Sequence, residues 1–170
     1  MVDLRKNILT SINLYHGIIK MPKGFEIDNN ILQQDILTQN LKDCPFPFSR
    51  EWDKLHCYLR EHLKVEDNLT LVNKETTSYM FKPDYRSMPI LDVNPVDLRN
   101  SPDYTMLYGV NVDKCSVRIY YDSNRRKGRS WDINLHTNSF IMFPSSQIYC
   151  ISNNQKDALN FVLKTTHEYI

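Results

Sequence analysis

Glycine is scarce in this chain, with four among 170 residues. Turns that need a positive φ must therefore fall to Asn and Asp, with Pro fixing others. The four cysteines, Cys44, Cys57, Cys115 and Cys150, form no CxxC pair. Their wide spacing argues against a zinc site or a disulfide framework and fits reduced thiols in a cytoplasmic setting. No apolar run is long enough to cross a bilayer, so no membrane partner is expected. The opening stretch, MVDLRKNILTSINLYHGIIK, lacks the apolar core and small-residue cleavage site of a signal peptide. Net charge is only +1, which gives no overall field to draw nucleic acid. A Gly-rich phosphate loop, an HExxH pair and an EF-hand are all missing. Ser145-Ser146 is not framed as Gly-x-Ser-x-Gly, which disfavours a hydrolase.

What is present is a run of short strands. Residues 104–170 read as YTMLYGVNV, CSVRIYYDSNRRKGRSWDINL, NSFIMFPSSQIYCISNN and ALNFVLKTTHEYI. Each piece is apolar or alternating and is closed by turn residues. Val117, Ile119 and Tyr121 alternate with Arg118, Tyr120 and Asp122 and should share a face. Leu159, Phe161 and Leu163 alternate with Asn160, Val162 and Lys164. Phe140, Met142 and Leu159 are expected in the core. Four or five strands at this spacing predict a sandwich or barrel-like roll.

The chain before the roll is different. Residues 14–19 read as an early strand. Asp28 can cap a helix running to about Leu41, with Ile31, Leu32, Asp35, Ile36 and the Leu37–Leu41 step on its apolar face. Pro45 and Pro47 break it. Ser49 caps a second helix, with Glu51 and Asp53 favouring its dipole and Trp52, Leu55, Leu59 and Leu63 at helical spacing. Residues 69–81 read as a hairpin around Asn73-Lys74-Glu75. Residues 82–102 carry Pro83, Pro89, Pro95 and Pro102 and read as an ordered excursion across the roll, because Tyr85, Met88, Ile90, Leu91 and Val93 are too apolar for a linker. The expected class is mainly β (α+β), with two N-terminal helices packed on a sheet. One domain is expected over residues 1–170, with a strand and helices in 1–66 and the roll in 67–170.

Residues 107–110, 118–122 and 138–145, the last reading Asn-Ser-Phe-Ile-Met-Phe-Pro-Ser, carry a resemblance. They resemble the double-stranded β-helix, or jelly roll, of the iron(II)/2-oxoglutarate-dependent oxygenases, in the short form found in phage and bacterial genomes. The resemblance implies iron bound by two histidines and a carboxylate, with 2-oxoglutarate held by a last-strand arginine. It also implies a distal histidine four residues after Ser145, where this chain has Tyr149. A His-x-Asp pair should precede residues 107–110, where Asn100-Ser101-Pro102-Asp103 stands instead. Ala158 and Asn160 occupy the arginine's region, and Lys156 and Lys164 are the nearest cations. All three functions fail together, which reads as a roll that has lost its metal triad. The expectation is no catalytic residue, no metal and no cofactor. The alternative keeps Fe(II) and 2-oxoglutarate, with Asp103, His136 and Tyr149 as unusual ligands.

The five histidines do not repair the triad by spacing. His56 and His62 lie six apart, on different faces of a helix. Arg125, Arg126, Lys127 and Arg129 form an expected basic hairpin tip, followed by Trp131. This is the candidate contact for an acidic protein partner or for neighbouring subunits. Asp122 and Asp132 flank it and partly neutralise it. Tyrosine is abundant, ten in all, and suits either sheet packing or a protein interface. The functional expectation is therefore a non-catalytic structural or binding module, such as a phage virion component, located in a host cytoplasm or a virion.

Overall fold

A computed structural model describes residues 12–121 and 129–170. Two helices precede most of the strands: β1 (Tyr15–Ile18), α1 (Asn29–Lys42), α2 (Arg50–Asp67), β2 (Leu71–Phe81), β3 (Tyr85–Arg86), β4 (Tyr104–Asn111), β5 (Cys115–Tyr120), β6 (Ser130–Leu135), β7 (Ser139–Pro144), β8 (Ile148–Asn153) and β9 (Asn160–Tyr169). The strands form a five-stranded sheet in the order β1-β7-β4-β9-β2 and a four-stranded sheet in the order β3-β8-β5-β6. All the paired strands are antiparallel. The sheets face one another, and the helices cover the outer face of the larger one.

Both helix starts are capped as their sequences predict. Asp28 accepts from the Asn30 amide, and Ser49 accepts from the Trp52 amide. The helices end at Asp43 and Asn68, with φ of 49° and 52°. Those are positions glycine commonly takes, and in this glycine-poor chain Asp and Asn fill them. On α2, Trp52, Leu55, Leu59 and Leu63 are buried with Leu32 and Ile36 of α1 against Met106, Tyr108, Met142, Phe161 and Leu163. Each fully buried side chain of this kind contributes about 1.5–3 kcal/mol. Ile31 and Leu41, expected on the apolar face of α1, are instead 43% and 73% exposed. The stripe that meets the sheet is narrower than the sequence count and is centred on Leu32 and Ile36.

A second core lies between the sheets, built from Leu107, Val117, Ile119, Leu135, Ile141, Phe143, Tyr149, Ile151 and Val162. The larger sheet is thus buried on both faces. On β9 the odd positions Phe161 and Leu163 face the helices, while Val162 faces the other sheet. Val117 and Ile119 point inward as expected, and Phe140 and Met142 are buried. Leu159 is not: it precedes β9 and is 40% exposed, so the expected alternation starts one residue too early.

The predicted hairpin at Asn73-Lys74-Glu75 is one continuous strand. β2 pairs with β9 from Leu71 to Phe81, and a register shift between Asn73 and Glu75 absorbs the polar stretch as a bulge. Continuous pairing with a long neighbour overrides the local turn signal. Gly109 is required by close approach: a Cβ there would lie 2.2 Å from the His136 carbonyl oxygen.

Candidate functional site

At one end of the space between the sheets, polar side chains replace the apolar core. Strand alternation supplies three of them. Thr105 projects inward from β4, Tyr149 from β8 and Lys164 from β9. Ser145 follows β7, where its amide donates to the Asp103 carbonyl at 2.9 Å. The fifth comes from the proline-rich excursion. The Ile90 amide donates to the Tyr149 carbonyl at 2.8 Å, and the Tyr149 amide donates back at 3.0 Å. That pair of bonds fixes the excursion on β8 and carries Asp92, two residues on, into the gap.

Asp92 is the hub. Its Oδ1 accepts from Lys164 Nζ at 2.6 Å. Its Oδ2 accepts from Thr105 Oγ1 at 2.8 Å and from the Tyr149 hydroxyl at 3.0 Å. Thr105 and Ser145 hydroxyls lie 2.9 Å apart. The ion pair is enclosed, with the Lys164 and Asp92 side chains 10% and 6% exposed. Lys164 also sits 5.8 Å from the centroid of the Tyr79 ring. Burial opposes the Lys164 charge, but Tyr79 and Asp92 outweigh it and hold the ammonium above its ordinary pKa. Burial, with Tyr79 and Asp92, pushes the Tyr149 phenol far up, so it stays a neutral donor.

No family model and no curated protein matches the sequence. Solved structures do. A prolyl-4-hydroxylase from Pseudomonas putida superposes with a TM-score of 0.64 over 93% of this chain and 89% of its own, at 12% identity. The viral collagen prolyl hydroxylase vCPH of Paramecium bursaria Chlorella virus-1, in a 2OG complex, gives 0.60 over 90% and 95%, at 12% identity. The non-heme alpha ketoglutarate dependent epimerase SnoN of nogalamycin biosynthesis gives 0.64 over 91% and 76%, at 7% identity. The fold is that of the 2OG-Fe(II) oxygenases. At these identities the likeness speaks for the fold alone.

The residues between the sheets do not fit a resident iron. Among the described residues no three His, Cys, Asp or Glu side chains come together. At the polar end, Asp92 is the one carboxylate of the cluster, and its charge is already matched by Lys164. A lysine ammonium has no lone pair to offer, and a neutral phenol is a poor iron ligand. Among the described residues of this cluster, the one cation, Lys164, is already held by Asp92. Asn160, in the region expected of the arginine, is buried and spends its side chain on the Asp113 amide and carbonyl, each at 3.1 Å.

The alternative ligand set is not brought together. Tyr149 lies inside the sandwich. Asp103 sits at the Tyr104 end of β4, where its carboxylate accepts from the Tyr169 amide at 2.8 Å. His136 lies beside Gly109, at the far end of the same strand. At about 3.3 Å per residue, that is roughly 20 Å from Asp103. The carboxylate that does face Tyr149 is Asp92, which sequence reasoning passed over. Its one signal was position: an acid inside the apolar run Ile90 to Val93, between prolines.

The expected partner contact lies mostly outside the described residues. Arg125, Arg126 and Lys127 are outside the described residues. Tyr121 donates its amide to the Arg129 carbonyl at 3.2 Å. Trp131 pairs in register with Ile119 and is 57% exposed. Asp132, expected to neutralise the tip, is bound in two-pronged fashion by Arg118 at 2.6 and 2.8 Å. That pair holds the Asp132 carboxyl below its ordinary range.

Proposed function

We propose that this chain is a non-catalytic structural or protein-binding module on a double-stranded β-helix of the oxygenase type. The observation that carries this reading is the enclosed Asp92–Lys164 pair with its Tyr149 and Thr105 donors. Ile90-Leu91-Asp92 has the spacing of the His-x-Asp pair that the resemblance implied, with Ile90 in the histidine's place. Tyr149 stands for the distal histidine. Lys164, a last-strand cation, holds the chain's own carboxylate rather than that of a cosubstrate. The cluster ties the excursion over residues 87–103 to both sheets, which is work for a scaffold. A subunit of a phage particle or of another assembly is the narrower form of this reading.

The test is anaerobic titration of the protein with ferrous ion by calorimetry, paired with succinate release from 2-oxoglutarate in air. The expected outcome is no saturable binding at one iron per chain and no succinate above a protein-free control. One iron per chain with succinate release, both lost in Asp92→Ala and Tyr149→Phe, would sink the proposal and restore the oxygenase reading.

A further inference from the structure

We propose that the cleft where α2 ends on the larger sheet binds an alkylated ammonium group, of the kind carried by choline or by a trimethylated lysine. The cleft has a volume of about 520 Å³, and Tyr15, Tyr104 and Tyr169 line it together with Asp67 and Asp103. Strand alternation brings the three rings to one face. Met106 and Tyr108 of β4 face the helices, so Tyr104 does too. Tyr15 of β1 is paired with Met142, another helix-facing residue. Phe161 and Leu163 set the same parity on β9, and Tyr169 follows it. The helix that covers this face stops at Asp67. Beyond it Tyr15 and Tyr104 are half-buried and Tyr169 is 55% exposed. The Asp92 cluster lies on the opposite face of the sheet, so this inference goes beyond the reading above and does not depend on it.

Two independent features select such a cation. The first is ring geometry. Tyr15 and Tyr104 meet edge to face, with centroids 6.4 Å apart and planes at 68°. Rings at that angle make a corner, with Tyr169 beside it, rather than a flat platform. A corner suits a rounded cation drawn to the negative ring faces. The second is charge. Asp67 and Asp103 border the cleft, and no lysine or arginine is among the described residues that line it. The C-terminal end of α2, at Asp67, adds partial negative charge. Asp103 is held in place, because the Tyr169 amide donates to its carboxylate at 2.8 Å. Burial pushes the Tyr104 pKa up, and Tyr15, Asp103 and Tyr169 push it the same way, so the phenol stays neutral among them. Both carboxylates are exposed. They attract a cation through water rather than replacing its hydration shell. A primary ammonium is strongly hydrated and would lose that water on reaching the rings, whereas alkyl groups around the charge remove the difficulty.

The probe is choline, titrated into the full chain at low ionic strength and followed by the tyrosine ring signals in NMR. Ethanolamine offers a primary ammonium on the same short chain. The alcohol with a tert-butyl group in place of trimethylammonium offers the same shape without charge. Choline should bind about fivefold tighter than either. Tyr169→Leu should weaken choline about fivefold, with the far-ultraviolet circular dichroism unchanged. Tyr104→Phe, which keeps the ring and loses the hydroxyl, should bind as wild type does. Asp67→Asn with Asp103→Asn should weaken binding by a margin that narrows as salt rises. A peptide with a central trimethyllysine distinguishes the sources: binding tighter than both choline and the unmodified lysine peptide assigns the group to a protein partner, and binding no tighter than choline assigns it to a small molecule. Equal binding of the uncharged alcohol overturns the role of charge, and equal binding of ethanolamine overturns the alkylated group. Tighter binding of a neutral methyl pyranoside than of choline makes the cleft a sugar site instead. No saturable shift with either choline or the trimethyllysine peptide overturns the proposal outright.

Discussion

Lys164 and Asp92 show how a buried charge pair constrains a fold without being a simple source of stability. Their mutual attraction and hydrogen bonds offset a desolvation cost of several kcal/mol per ion. Removing one partner strands the other in a poorly solvated site. Lys164→Met should therefore lower unfolding free energy by about 3–5 kcal/mol. The double change Lys164→Met with Asp92→Leu should cost far less, since it leaves no unpaired charge. Urea denaturation of the single and double variants measures both, and additive costs would show that the pair does not act as a unit. His167 makes a second argument. It is buried, its Nε2 lies 2.9 Å from Thr165 Oγ1, and its Nδ1 has no partner among the described residues. Its ring stacks on His56 at 5.7 Å, and His56 stacks on Trp52 at 4.8 Å. Burial, with His56 and Arg60 nearby, pulls the His167 pKa from 6.5 down to about 3. The unfolded chain then takes up the proton first as acid is added. The stabilisation is full above about pH 6.5 and falls at about 1.4 kcal/mol per pH unit below it. Denaturation midpoints at pH 7.5 and 5 should differ in this direction. A His167→Phe variant that shifts as much as wild type would rule out this histidine as the cause.

At the scale of elements, α2 combines every local helix signal with a tertiary role. Ser49 caps it, Glu51 and Asp53 sit in its first turn, and its buried stripe seals the larger sheet. Ser49→Ala removes the acceptor for the Trp52 amide and should cost about 1 kcal/mol. Thermal unfolding would show this as a modest fall in Tm, and Ser49→Thr, which keeps the hydroxyl, should recover most of it. No change in Ser49→Ala would mean that packing of Trp52 and Leu55 alone fixes the helix start. β2 gives the opposite lesson. Its polar middle reads as a turn, yet the strand runs through it by means of a bulge. β9 supplies an unbroken partner edge, and ten residues of cross-strand bonding outweigh a local preference worth tenths of a kcal/mol.

For the whole molecule, the two cores divide the work. The helix-side core is held by side chains whose spacing is evident in the sequence. The inter-sheet core is apolar at one end and carries the Asp92 cluster toward the other. The polar end of that interior is closed by hydrogen bonds around Asp92, and an apolar cleft lies elsewhere, between the sheet edges at Ile12, Ile119 and Trp131.

The sequence by itself determined the mainly β class, the two capped helices, and the inward face of Val117 and Ile119. These follow from periods of 2 and 3.6 and from caps, which are local and written in neighbouring residues. It also placed Trp131 on a strand, paired with Ile119. Only the tertiary structure decided that Asp92 rather than Asp103 faces Tyr149, that Lys164 answers Asp92, and that His136 is remote from both. Those contacts join residues 57 to 72 positions apart in the chain. They depend on strand register and on the path of an irregular segment, and no periodicity encodes either.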